Sequence, residues 1–362
     1  LMWFMFYCTF SLGAYPQEWI EMGVSWLYDT VHGLMGEGAL RDMITDGVIN
    51  GVGSVLVFLP NIMILYLFIS LLEDSGYLAR AAFIMDKVMH HMGVHGKSFI
   101  PMVMGFGCNV PAIMAAKDIA NKKDRAVTMM MVPFMSCSAR LPVYLLFIGA
   151  FFAEQKAIVM LSLYILGVLL SIAFAWVMQH TKAFRQPKHD YVSELPAYRR
   201  PTLRNTGLHI WERVADYLQK IPAVIIWASV IIWALTYFPT GNMNDMEHSY
   251  LAMIGHWMEP VMRPLGFDWK MSVCLLTGLP AKEAIVSSMG ILYPSDATLS
   301  AFTPVTAYAF MAFVLLYFPC VATITTLRKE IGAKWAWFSV AHSLVLAWVV
   351  SWVINLIGSL VV

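Results

Sequence analysis

The stretch from Ser98 to Pro142, SFIPMVMGFGCNVPAIMAAKDIANKKDRAVTMMMVPFMSCSARLP, constrains this chain more than any other. Pro101, Gly105, Gly107 and Pro111 fall inside one apolar run, and Pro133 and Pro142 bracket the polar Ser136-Cys137-Ser138 inside another. Proline removes a backbone donor and glycine weakens a helix, so neither run reads as one straight helix. Lipid does not tolerate unpaired backbone: irregular chain at membrane depth survives only where protein buries it or it lines a wet cavity. Paired interrupted segments point to a transport site, and here they centre the candidate pathway on Cys108 and Cys137.

Composition supports the membrane reading. The 362 residues are 59% hydrophobic and 13% charged, with mean hydropathy +0.66, whereas a soluble domain carries about 25% charge. The net charge of +1 says little by itself. Cysteines at positions 8, 108, 137, 274 and 320 form no CxxC pair, which argues for reduced thiols. Both ends lie in apolar runs and read as cut from a longer polypeptide.

Lysine and arginine mark the inner side and divide the chain into five regions. Residues 1–97 are read as N-terminal transmembrane helices with an outer amphipathic segment, around Trp19 and Trp26, and a cytoplasmic amphipathic helix. Within them, Leu1 to Gly13 ends a first apolar span and Gly51 to Leu72 crosses inward. Residues 98–180 form a first gate repeat. Its segment Ser98 to Ala116 has basic residues on both flanks and is therefore predicted to be a re-entrant hairpin turning at Gly105-Phe106-Gly107. Residues 181–220 are a basic cytoplasmic connector, and 221–268 a transmembrane helix and outer loop. Residues 269–362 form a second gate repeat, with a hairpin over Trp269 to Tyr293 and a span broken at Tyr317-Phe318-Pro319-Cys320.

Laying Cys108–Ala112 over Thr277–Ala281 and Met135–Ala139 over Phe318–Ala322 aligns the two halves in opposite orientations. The predicted fold class is an all-α polytopic membrane protein: an inverted repeat of two re-entrant hairpin plus broken-helix (gate) units with additional transmembrane helices. Such repeats bind substrate at the midplane between the halves.

The chemistry at the breaks suits a cation. Asn109 is placed to cap a helix whose first turn accepts Pro111, leaving the carbonyls of Gly105, Phe106 and Gly107 exposed. Cys108, Cys137 and Cys320 all sit at breaks, and soft sulfur selects transition metals over magnesium or calcium. A free cysteine is also commonly a small buried hydrophobe. Met104 and Met135 offer thioethers, although methionine is equally a gap-filler. Glu283 is embedded in an apolar segment, where a charge must face a cavity or a partner. It is read either as a ligand or as the ion-pair partner of Arg140. Ser136 completes the pathway candidates. His90, His91 and His95 read as a solvated helix face as readily as a ligand set. His95-Gly-Lys-Ser98 mimics the end of a phosphate-binding loop, but position 91 lacks the required glycine.

LEDSGYLARAAFIMD (Leu72 to Asp86), HGKSFIPMVMGFGCNVPAIMA (His95 to Ala115), PFMSCSARLPVY (Pro133 to Tyr144), GLPAKEAIV (Gly278 to Val286) and YFPCVATI (Tyr317 to Ile324) resemble the membrane domain of the bacterial ferrous-iron transport protein B family. The resemblance covers nearly the whole chain. It implies Fe2+ uptake across the bacterial inner membrane through two gate motifs similar to those of nucleoside transporters. The family's gate cysteines fall on Cys108, Cys137 and Cys320. It implies no enzyme activity in this chain, because GTP enters only through an N-terminal cytosolic GTP-binding domain that these residues do not include. The implied partners are Fe2+, the lipid bilayer, that domain, small cytosolic accessory proteins of the same system and further copies in a homo-oligomer, with no nucleic acid. Two readings stay open beside it: an ion-coupled nucleoside-type carrier on the same scaffold, and a non-conducting membrane anchor or signalling partner of the GTP-binding module.

Overall fold

Surrounded by lipid, an apolar segment satisfies its own amides as a helix, and among the described residues all regular structure is helical. The computed structural model describes residues 2–36, 38–91, 94, 96–181, 184, 207, 211, 215, 222–239, 248–280, 282–293 and 302–361. Most of the expected connector 181–220 and the side chains of the His90, His91 and His95 cluster lie outside the described residues. The chain forms two compact units: Leu1–His91, His95–Ile100 and Gln186–Ala234 in one, Met92–Val94, Pro101–Arg185 and Leu235–Val362 in the other.

In the first unit, α1 (Met2–Leu34) packs along α2 (Asn50–Asp74), and a π-helical segment, Met43–Ile49, leads into α2. No helix end marks Gly13, where the first apolar span was expected to end. One helix runs through Gly13 and Ala14, keeps Pro16 inside, and carries Trp19 and Trp26 onward with their side chains exposed. A proline inside a helix forfeits one backbone bond, and packing against α2 holds the rest of α1 together. The Tyr28 hydroxyl donates to Asp46 Oδ1 at 3.1 Å, tying α1 to the π-helical segment. Helix α3 (Tyr77–His91) buries Leu78, Ala82 and Met89 and exposes the apolar Phe83 and Ile84.

The second unit contains every helix break that the sequence suggested. Helices α4 (Phe99–Gly105) and α5 (Asn109–Ala115) are separated at residues 106–108. From α6 (Lys122–Met131) the chain passes through two 3-10 turns, Val132–Phe134 and Ser138–Arg140, into α7 (Leu141–Phe151), and then α8 (Lys156–His180) follows. After α9 (Pro222–Tyr237), which straddles the two units, and α10 (Tyr250–Met262), the order recurs. Helices α11 (Trp269–Thr277) and α12 (Ala284–Leu292) pack against each other across a break. Helices α13 (Pro304–Leu316) and α14 (Val321–Ile331) flank residues 317–320, and α15 (Ala333–Val361) closes the chain.

Among the described residues, four segments are long and apolar enough to cross a membrane: Lys122–Phe151, Lys156–His180, Pro304–Ile331 and Ala333–Leu360. This is a multi-pass, all-α membrane protein.

Polar caps set the helix starts. Asn121, Ser249, Asp268 and Thr303 each accept an amide from the first turn of α6, α10, α11 and α13, satisfying donors that a helix leaves open. Helix α13 is apolar on all sides, which demands burial from all sides. Ala307, Phe310, Phe313 and Val314 are accordingly buried, and the helix packs on α15, α7 and α8. Ser351 Oγ donates to Ala309 O at 3.0 Å across the α13–α15 contact. Gly167 lets α8 lie on the irregular segment: a Cβ there would come within 2.6 Å of Phe134 O.

Candidate functional site

The broken backbone is neither loose nor open to water along its length. Gly107 O accepts both the Ser138 amide at 3.1 Å and the Ser138 hydroxyl at 2.9 Å, which saturates its two lone pairs. The carbonyl expected to face a passing ion is therefore occupied. Asn109 does not cap α5. The residue in the cap position is Cys108, with φ −150° and ψ 133°. With its amide nitrogen turned toward the acceptors, Asn109 instead donates to Gly105 O at 3.1 Å and Val132 O at 3.3 Å. Gly105 faces Met135, whose Cβ would lie 2.9 Å from any Cβ added there.

The second pair of breaks is joined in the same manner. The Val321 amide donates to Leu279 O at 3.4 Å, and Tyr317 Oη to Leu275 O at 3.4 Å. In both halves, the residue directly after a break cysteine (Ser138 after Cys137, Val321 after Cys320) donates its amide to a carbonyl in the preceding break. The alignment of Met135–Ala139 with Phe318–Ala322 pairs the two donors, Ser138 and Val321, but not their acceptors, Gly107 and Leu279.

Arg140 is fully buried and turns back on its own break, donating to Met135 O at 2.8 Å and Pro133 O at 3.1 Å. Its Nε has no partner. The expected ion pair with Glu283 is not formed. The guanidinium fork matches two carbonyls that no helix bond satisfies, and this fixes it in place. Glu283 takes the cap position of α12 without a side-chain cap bond and is part-buried. Ser136 is buried beside Tyr144, with 3.4 Å between its Oγ and the phenol oxygen. Met104 and Met135 are buried in the core, and Met135 fills the space left by Gly105.

Cys108, Cys137 and Cys320 are part-exposed, unlike the buried Cys8 and Cys274. Each stands in the cap position of the helical segment after a break: Cys108 before α5, Cys137 before Ser138–Arg140 and α7, Cys320 before α14. A helix N-terminus puts partial positive charge beside each sulfur. Cys108 lies within electrostatic range of Cys137 and Cys320. Cys320 Sγ lies 3.0 Å from Thr323 Oγ1. Among the described residues, however, no three His, Cys, Asp or Glu side chains are arranged to hold a metal ion. The thiols share one region without closing into a cage.

The residue that sequence reasoning missed is Lys282. It is 3% exposed, donates from Nζ to Val314 O at 3.3 Å and stands 4.0 Å from the centre of the Tyr317 ring. Arg140, Cys137 and Cys320 lie within electrostatic range of it. Its signal in the sequence was a lysine beside Glu283 in an otherwise apolar run, overshadowed by the carboxylate.

Residues 55–151 and 219–334 match the family model described as Nucleoside recognition, the Gate model. Residues 160–213 match the one described as Ferrous iron transport protein B C terminus. An Fe(2+) transport protein A/Fe(2+) transporter FeoB fusion protein of Porphyromonas gingivalis is 47% identical over 416 residues, covering 99% of this chain and 49% of the relative. The Fe(2+) transporter FeoB of Staphylococcus aureus (strain COL) is 44% identical over 377 residues, covering 100% of this chain and 57% of the relative. That of Methanocaldococcus jannaschii is 41% identical over 374 residues, covering 99% and 56%. The chain thus spans about half the length of the curated relatives it matches. No solved structure matches it.

Proposed function

The chain belongs to the ferrous iron transport protein B family, and on that premise we propose that it is the membrane permease portion through which Fe2+ crosses a bacterial inner membrane. The observation that carries the reading is the placement of Cys108, Cys137 and Cys320 at three helix starts that all follow backbone breaks. Fe2+ gives up water only where other donors replace it, and thiolates suit it better than they suit magnesium or calcium. Glu283 is near enough in sequence to the α11–α12 break to add a carboxylate. Gly105, Gly107, Asn109, Ser136 and Arg140 hold the breaks in shape, and Met104 and Met135 support them.

The recurring order of elements, and the recurring amide bond after Cys137 and Cys320, support an inverted repeat whose halves enclose this site at the midplane. On the same reading GTP acts through a domain upstream, and the fusion relative favours a small accessory protein as partner. Homo-oligomers fit the scheme too. The test uses the full-length protein in liposomes with an iron-quenched dye inside. Replacing all three cysteines by serine abolishes Fe2+ entry while the protein still inserts; undiminished entry would remove the thiols from the pathway. The Gate description favours a second reading, a nucleoside-type carrier, and saturable uridine uptake by the same liposomes would establish it.

A further inference from the structure

We infer that the Lys282 ammonium is a tethered cation that occupies the ion's place, so that an arriving divalent ion must displace it before the thiols can close. The inference rests on the permease reading above and names a selectivity element within it.

A buried ammonium is costly unless paired and hydrogen-bonded. Lys282 has one carbonyl, Val314 O at 3.3 Å, and the face of Tyr317 at 4.0 Å, and a ring face attracts a cation within about 6 Å. These groups, with Cys137 and Cys320 within electrostatic range, offset part of the cost of burying the lysine's charge at this position. Arg140 opposes it as a like charge and cannot leave, being held by two carbonyls. Lys282 lies in the irregular stretch between α11 and α12, where its carbonyl accepts the Ile285 amide at 3.2 Å, and the flexible four-carbon stem lets the ammonium withdraw by rotation. While it is inserted, the three thiols do not close into a ligand group. A divalent ion brings twice the charge that the lysine removes, whereas Na+ or K+ gains nothing by the exchange.

The experiment titrates the full-length protein with Co2+, whose thiolate complexes absorb in the near ultraviolet, and separately follows alkylation of Cys137 and Cys320 by neutral N-ethylmaleimide. If the tether leaves the site free about one-tenth of the time, its removal tightens apparent binding about tenfold. Lys282→Met is thus expected to lower the Co2+ midpoint about tenfold and to speed alkylation. Lys282→Arg, which keeps the charge and adds bulk, does neither. Tyr317→Leu, which removes the ring under the ammonium, moves both readouts in the direction of Lys282→Met and tests the idea without altering the lysine.

Alkylation separates displacement from simple repulsion: a nearby cation favours the reactive thiolate, so loss of charge alone would slow the reaction. A Lys282→Met protein with an unmoved or higher midpoint, or with slower alkylation, overturns the inference. If no variant shows the thiolate–cobalt band, wild type included, the thiol-ligand reading itself fails.

Discussion

Ser138 holds Gly107 by two hydrogen bonds to one carbonyl oxygen, at 3.1 Å from its amide and 2.9 Å from its hydroxyl. The first pair of short helices is thereby pinned to the break of the following span, close to Cys108 on one side and Cys137 on the other. Ser138→Ala keeps the amide bond and loses the hydroxyl, at an expected cost of about 0.5–1.5 kcal/mol. Thermal unfolding in detergent reads this as a lower midpoint; an unchanged midpoint would show that the second bond is redundant.

Gly105 and Met135 meet with no room for a further carbon, since an added Cβ would lie 2.9 Å from Met135 Cβ. Gly105→Ala is expected to destabilise the protein by about 1–3 kcal/mol by overpacking. In combination with Met135→Ala the penalty shrinks, because the second change returns the space. A double-mutant cycle measures the coupling, and strictly additive losses would mean that the two residues do not share this contact.

Arg140 ties down Met135 O and Pro133 O from a fully buried position. Arg140→Met strands both carbonyls, each at about 1–3 kcal/mol, so little folded protein is expected from fluorescence-detected size exclusion. Arg140→Lys recovers only part of the yield, because an ammonium lacks the planar fork that serves two acceptors at once. Full recovery with lysine contradicts the fork argument.

Lys117 Nζ and Glu330 Oε1 are 2.8 Å apart, joining the turn after α5 to the end of α14. With side chains 40% and 20% exposed, the pair contributes at most about 1 kcal/mol. Glu330→Gln is expected to lower the unfolding midpoint slightly at low salt and not at all in about 1 M salt, where the screening length falls to about 3 Å. A salt-independent effect would assign Glu330 a role other than pairing.

Much of the architecture was legible in the chain itself. Gly107, Pro133 and Pro319 stand where helices stop, although Pro16 and Pro101 lie inside α1 and α4, so the breaks and the order of elements followed largely from local chemistry. So did the position of the three cysteines at those breaks. The family, too, could be read from the long motifs around them.

The partners of the buried polar groups were not legible. Asn109 was expected to cap a helix and instead bridges Gly105 and Val132; Gly107 O was expected to be open and is taken by Ser138. The ion pair with Glu283, one of the two readings of that carboxylate, does not form and Arg140 serves its own break, while Lys282 stands over the Tyr317 ring. The division has a physical cause. Whether a residue can continue a helix depends on its own covalent structure, but a buried donor or charge bonds to whatever acceptor folding brings within about 3 Å, and residues 31 or 32 positions apart, such as Gly107 and Ser138 or Lys282 and Val314, become neighbours only once the helices have packed.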